Sequence, residues 1–127
     1  MTRGIRGATT VSENKEEIII ENTRILVEEM VEKNNIVPDD VSHVFISVTK
    51  DITAAFPAKA LRQLPGTGWK YVPVMCMTEI DVPNSLMACI RVMMVVNTEK
   101  DQASIQHIFQ NEAIHLRPDL TKKGFRQ

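Results

Sequence analysis

The pattern of apolar and polar positions predicts that the first half of the chain runs strand, helix, strand. Residues 3–11 and 43–49 are short runs typical of strands, and the two glycines in the first predict a close approach by another backbone or a ligand. Between them, apolar residues recur at helical spacing, with glutamates at many of the other positions. This predicts an amphipathic helix over residues 15–33, with Asn14 and Glu17 forming a capping-box-like start.

The second half predicts further helices and strands in alternation. A short helix is expected over residues 53–64, followed by a strand over 71–77 in which Pro73 indicates an edge or bulged strand. After a central strand, a helix over 102–109 and a final strand over 112–117 are expected. The predicted fold class is therefore α+β, a mixed β-sheet packed with helices.

The central strand, residues 89–96, is apolar at every position but one, as in a strand that is covered on both faces. Arg91 interrupts the run, and no acidic residue lies within several positions of it. A guanidinium keeps its charge, so burying it unpaired is costly. Either a carboxylate from elsewhere in the chain or an anionic ligand must meet it. Glu79, which follows an apolar strand, is the nearest obvious carboxylate.

Other cations occupy comparable positions. Arg6 and Arg117 lie in or at the end of short apolar strands, and Lys59 and Arg62 share one face of the second helix. Each taken alone fits an ordinary solvent-exposed residue. Convergent arginines suit a small ligand with several negative charges, because each guanidinium binds a carboxylate in two places.

Composition narrows the classes of protein and partner. A net charge of −1 gives no indication of nucleic acid or an anionic membrane as partner, and no apolar run approaches the ~20 residues of a membrane span. Cys76 and Cys89 form no CxxC motif and are expected to be free thiols of a cytoplasmic protein. The length predicts one domain over residues 1–118, with residues 119–127 as a polar, mobile tail.

Conventional catalytic motifs are absent from the sequence. It contains no HExxH, no glycine-rich phosphate loop and no GxSxG. Cys76 with one of His43, His107 or His115 is an alternative nucleophile pair for a hydrolase, but nothing in the sequence brings them together.

Four segments resemble a known family. They are RGIRGATTV, AAFPAKALRQL, YVPVMCMTEIDVPNSLMACIRVMM and LRPDL. In this order they resemble the monofunctional AroH-class chorismate mutases of bacteria over nearly the whole chain. The resemblance implies a pseudo-α/β-barrel homotrimer with active sites between subunits. It also implies the pericyclic rearrangement of chorismate to prephenate, on the route to phenylalanine and tyrosine, with no metal, cofactor or covalent intermediate.

The resemblance also implies roles for individual residues. Arg91 would stabilise the negative charge that develops on the ether oxygen, and Arg6 would hold a carboxylate. Glu79 and Cys76 would contact the ring hydroxyl. The implied substrate-binding residues are Phe56, Ala58, Lys59, Arg62, Val74, Met75, Met77, Thr78, Phe109, Leu116 and Arg117.

Part of this implied site comes from a second chain. Phe56, Lys59 and Arg62 would belong to the neighbouring subunit and wall the pocket. The sequence departs from the family pattern at Phe109, where a tyrosine is common, and at Met75, where a threonine is usual. Neither departure removes a charge that the mechanism requires.

A binding module without catalysis is the rival interpretation. Such a protein would sense an acid of the aromatic pathway and would keep Arg6, Arg62 and Arg117 for its carboxylates. It would not need Arg91 and Glu79 together, so their joint presence favours the enzyme.

Overall fold

A five-stranded mixed β-sheet forms the centre of the protein in a computed structural model that describes residues 1–120. The strands are β1 (Thr2–Thr10), β2 (Val41–Val48), β3 (Val74–Thr78), β4 (Cys89–Asn97) and β5 (Ile108–Phe109). Their order across the sheet is β3-β2-β4-β1-β5. β4 runs antiparallel to both of its neighbours, while β3 is parallel to β2 and β5 is parallel to β1. The mixed sheet confirms the predicted α+β class.

The helix α1 (Glu16–Asn34) packs on one face of this sheet and covers the core. Alternate residues of β4 from Ile90 to Val96 are at most 3% exposed and join that core, whereas Arg91 and Met93 are exposed on the opposite face. The prediction that this strand is covered on both faces is therefore wrong for the single chain. Apolar residues also occupy the second face, which we call the open face, and this made the run look continuous.

Gly7 marks the closest approach between the helix and the sheet. A Cβ at this position would overlap Met30 Sδ and would lie 3.1 Å from its Cε and 3.2 Å from its Cγ. Met30 is fully buried. The close approach predicted at these glycines is thus made by side chains, Met30 of α1 at Gly7 and Met93 of β4 at Gly4, and not by another backbone or a ligand.

The start of α1 differs from the prediction, while its end agrees. Lys15 is the N-cap residue and makes no side-chain cap, so the predicted capping box is wrong. The Asn14 side chain instead accepts hydrogen bonds from the main-chain nitrogens of Thr53 and Ala54, each at 3.0 Å. At the other end, Asn35 is left-handed (φ 54°) and terminates the helix.

Three predicted elements take another form. Residues 53–64, predicted as a helix, contain a 3₁₀ segment, Pro57–Gln63. The predicted helix over 102–109 is wrong, because a 3₁₀ turn at Gln102–Ser104 leads into β5. The predicted strand over 112–117 is also wrong, since Asn111–His115 is a 3₁₀ segment. Short apolar runs contain too few periods of the hydrophobic pattern to distinguish a helix, a 3₁₀ segment and a strand.

The remaining expectations concern an edge strand, the tail and membranes. β3 begins just after Pro73 and lies at the sheet edge, as predicted. Of the predicted tail, residues 121–127 lie outside the described residues. None of the helices within residues 1–120 is long and apolar enough to cross a membrane.

The packing at Gly7 leads to a stability prediction. Gly7→Ala should lower the free energy of unfolding by about 1–3 kcal/mol, because the added methyl group meets a buried side chain in a packed core. Gly4→Ala is the matched control, since its Cβ would lie 3.0 Å from Sδ of the partly exposed Met93, which can move. Urea unfolding of both variants measures the difference. Equal losses would contradict the packing account.

Candidate active site

Arg91 pairs with Glu79 on the open face of the sheet. Arg91 Nε lies 3.2 Å from Glu79 Oε2, and the two side chains are 47% and 27% exposed. Glu79, the nearest obvious carboxylate in the sequence, is therefore the one that pairs with Arg91. An ion pair of this exposure contributes only about 0–1 kcal/mol to stability, so the pair does little to hold the fold together.

Three hydrogen bonds hold Glu79 in place, two of them to its carboxylate. Ser47 Oγ on β2 donates a hydrogen bond to Oε2 at 3.2 Å, and the main-chain N–H of Ile80 donates to Oε1 at 2.9 Å. The main-chain N–H of Glu79 itself donates to the carbonyl of Val48 at 2.8 Å, which extends the β2–β3 pairing. Ser47 and Arg91 are register partners across β2 and β4. Glu79, just after the end of β3, thus reaches Arg91 on β4 across β2, which lies between the two strands.

The pair lines a cavity of about 380 Å³ that also contains Arg6 and Arg117. Arg6 comes from β1, where it lies diagonally across from Arg91 on the same face, and Arg117 follows the last 3₁₀ segment. Met77, Phe109 and Leu116 supply apolar walls. Seven of the predicted site residues therefore meet in one place, although they are spread over most of the chain.

Arg117 is oriented by a nearby carboxylate. Its Nε and Nη2 lie 3.1 Å and 2.9 Å from the two carboxylate oxygens of Asp119. The hydrogen bond from Arg117 holds the pKa of Asp119 below its ordinary value. The carboxylate therefore stays charged at neutral pH and fixes the guanidinium at the mouth of the cavity.

A second cavity, of about 600 Å³, gathers most of the other predicted residues. Its lining includes Phe56, Lys59, Arg62, Cys76, Met77 and Thr78. Lys59 Nζ lies 3.6 Å from Glu16 Oε2, and both side chains are more than half exposed. Met77 lines both cavities, so the two sites adjoin at β3.

The remaining predicted residues lie around these cavities. Ala58 and Val74 are partly buried against the core, and Met75 is 61% exposed beside Phe45 of β2. Cys76 pairs in register with the buried Ile46 and so lies on the helix side of β3. Within one chain, Cys76 and Glu79 are therefore in different cavities, although the resemblance had assigned both to the ring hydroxyl.

Comparisons with known proteins identify the family. The family model for chorismate mutase type I matches residues 2–120. The protein belongs to this family. Chorismate mutase AroH of Bacillus subtilis is 50% identical over 121 residues, which cover 95% of this chain and 94% of the relative. Chorismate mutase AroH of Thermus thermophilus is 44% identical over 121 residues, covering 94% and 97%.

A solved structure of the same family supports the fold. The chorismate mutase from Clostridium thermocellum is 51% identical and superposes with a TM-score of 0.83, covering 87% of this chain and 96% of its own. The resemblance noted in the sequence is thus confirmed for the family and the fold. The roles of the individual residues remain predictions.

Two residues at the site were not predicted from the sequence. Ser47 contacts Glu79, and His107 contacts Arg6. Ser47 belongs to the predicted strand 43–49, but its relation to Arg91 depends on a register that sequence periodicity does not give. His107 had been considered only as a partner for a cysteine. Neither residue type is distinctive enough to mark a site without its neighbours.

Of the two free cysteines, Cys89 is buried and Cys76 is partly buried. Burial raises the pKa of both Cys76 and Cys89. An activated cysteine nucleophile needs the opposite shift, because the thiolate is the reactive form. The alternative of a Cys76-dependent hydrolase therefore loses support.

The raised pKa values predict slow thiol chemistry. At pH 7 Cys76 should be almost entirely in the thiol form, so iodoacetamide should modify it more slowly than a free cysteine. The rate should increase as the pH is raised toward the pKa. Cys89, which is 2% exposed, should react only after unfolding. Mass spectrometry of timed samples measures both rates, and fast labelling of Cys76 at pH 7 would restore the nucleophile hypothesis.

Proposed function

We propose that this protein isomerises chorismate to prephenate at a site built around Arg91. The observation that carries the proposal is the cavity in which Arg6, Arg91 and Arg117 converge with a single glutamate on a member of the chorismate mutase family. Chorismate is a dicarboxylate, so two of these guanidinium groups match its charges. The third is then available for the reacting atoms.

The reaction breaks an ether C–O bond while a C–C bond forms within the same molecule. Negative charge develops on the ether oxygen as the bond lengthens. A fixed cation beside that oxygen stabilises the transition state more than the ground state, which is the condition for a higher rate. Arg91 takes this role because Glu79 and the β4 backbone already hold it in place, so little reorganisation is needed.

The other residues bind and shape the substrate. Arg6 holds a carboxylate, and Glu79 accepts a hydrogen bond from the ring hydroxyl. Phe109 and Leu116 contribute apolar surface that displaces water and favours the compact conformer in which the two reacting carbons meet. Phe109 carries no hydroxyl, so its contribution is packing. No proton transfer or covalent intermediate is required of any of these groups.

The proposed assembly is a homotrimer in which each site is shared between two chains. Apolar side chains on the open face support association, since Phe45, Met75, Met77 and Met93 are each 39% exposed or more. The first cavity would then meet the second cavity of a neighbour, which brings in Phe56, Ala58, Lys59 and Arg62. Cys76 would reach Glu79 across this interface. The proposed location is the cytoplasm, where both free thiols would stay reduced.

The central experiment removes the cation. The purified protein should consume chorismate in the presence of a chelator and yield prephenate, and Arg91→Ala should lower kcat by about a hundredfold or more, which is ~3 kcal/mol of transition-state stabilisation. Arg24→Ala is a matched control, because Arg24 pairs with Glu21 and Glu28 on the exposed side of α1. Loss of chorismate absorbance measures both. A folded, inactive wild-type protein would point to a binding module instead.

Subunit mixing tests whether the site is shared. Arg91→Ala and Arg62→Ala, each expected to be nearly inactive, should regain activity when refolded together. About a quarter of the interfaces would then combine an intact half from each chain. Mixing Arg91→Ala with Glu79→Ala is the control, since both changes affect the same cavity of one chain and no intact site can form. Equal recovery in the two mixtures, or none in the first, would contradict the proposed sharing.

A further inference from the structure

His107 contacts Arg6 at two points. Its Nδ1 lies 2.9 Å from the main-chain nitrogen of Arg6, and its Nε2 lies 3.3 Å from Nη1 of the guanidinium. The histidine sits just before β5, which pairs in parallel with β1 beginning at Gly7 and Ile108. The ring is half-buried beside the cationic cavity.

The chemistry of the two contacts restricts the state of the ring. A main-chain N–H and a guanidinium N–H are both donors, and neither can accept a hydrogen bond. Neutral imidazole has one acceptor nitrogen and imidazolium has none. The shorter contact therefore places the lone pair on Nδ1 and the proton on Nε2. The Nε2–H group then faces another donor, so the ring fixes the backbone of Arg6 while directing its guanidinium toward an acceptor elsewhere.

The position of His107 is itself fixed by a buried amide. Asn34, at the end of α1, is 1% exposed. Its Oδ1 accepts a hydrogen bond from the main-chain N–H of Gln106 at 2.9 Å, and its Nδ2 donates to the carbonyl of Gln106 at 2.8 Å. The main-chain N–H and carbonyl of Gln106, the residue before His107, are thus both hydrogen-bonded to a side chain of α1. Nδ2 also donates to the Met30 carbonyl at 2.9 Å, so the amide is held from the helix side as well.

We infer that His107 is a positioning residue for Arg6, anchored through Gln106 by Asn34. The inference rests on the proposed function, in which Arg6 binds a substrate carboxylate. The Nδ1 contact holds the backbone of Arg6 in place, and the Nε2–H group, a donor that faces a donor, does not bind the guanidinium and so leaves its N–H groups for an acceptor in the cavity. The carboxylate supplies the acceptor that the ring does not. His107 itself touches neither the substrate nor the reacting atoms.

The expected kinetic effect is on binding. His107→Ala should raise KM by about tenfold and leave kcat within about twofold, because Arg6 holds the carboxylate equally in ground and transition states. His107→Asn should recover most of this loss, since its Oδ1 replaces Nδ1 as the acceptor. His107→Gln places its oxygen near Nε2 and should not. Steady-state kinetics with chorismate measures the three variants, and recovery by Gln alone would overturn the inference.

A double variant separates positioning from a general structural role. In an Arg6→Ala background, His107→Ala should cause no further rise in KM, because the residue through which it acts is gone. Additive effects would overturn the inference. Thermal unfolding of each variant reports any loss of stability separately from the change in KM.

The tautomer is a test that does not depend on activity. The ¹⁵N spectrum of the wild-type ring should show an unprotonated Nδ1 and a protonated Nε2, with the signals assigned by their loss in His107→Gln. A protonated Nδ1 would overturn the inference. An inactive wild-type protein with the expected tautomer would instead contradict the proposed function and leave the contact between His107 and Arg6 supported.

Discussion

Strand β4 determines which side chains of this protein lie on the open face of the sheet. It is hydrogen-bonded on both sides, to β1 and to β2. Its pairing register therefore determines which side chains of both neighbouring strands lie on each face of the sheet. Every second residue is buried beneath α1, and a shift of one residue would exchange the buried and open sets. The core therefore specifies the register, and the register places Arg91 on the open face. The position of the proposed catalytic cation follows from burial on the opposite side of the sheet.

The site concentrates positive charge that the fold does not need. Arg6 and Arg91 lie on neighbouring strands of one face, and Arg117 approaches from the end of the described chain, while Glu79 pairs with Arg91 and Asp119 pairs with Arg117. Like charges this close destabilise the unliganded protein. The proposed dicarboxylate substrate would reduce that repulsion on binding. Partial exposure keeps the desolvation cost low before the ligand arrives, and closure by ligand and neighbouring surfaces then strengthens each interaction.

The sequence predicted most of what depends on periodicity and little of what depends on distant contacts. Long hydrophobic patterns predicted α1 and the strand that carries Arg91, and a single proline, Pro73, predicted the edge strand. Asn14 was misread as a cap because its side chain is bound 39 residues away, at Thr53. Residues 102–117 were misassigned where side chains far along the sequence hold them, since Asn34 binds Gln106 from 72 residues away and Thr10 accepts a hydrogen bond from the main-chain N–H of Glu112. No local pattern reports such partners.

The same limit applied to the site, because the register of distant strands, and not a local pattern, brings its residues together. Arg6, Glu79, Arg91, Phe109, Leu116 and Arg117 converge within one chain, as the resemblance implied.

The alternation along β3 separates two of the predicted site residues within one chain. Cys76 lies on the helix side of the strand while Met75 and Met77 lie on the other, so Cys76 and Glu79 line different cavities, and the proposed site would need a second chain to bring them to one ligand. A neighbour that covers the exposed apolar open face would supply the missing wall at the same time. Association would then bury that surface and complete the pocket through a single contact, so the stability of the proposed trimer and its activity would depend on the same side chains.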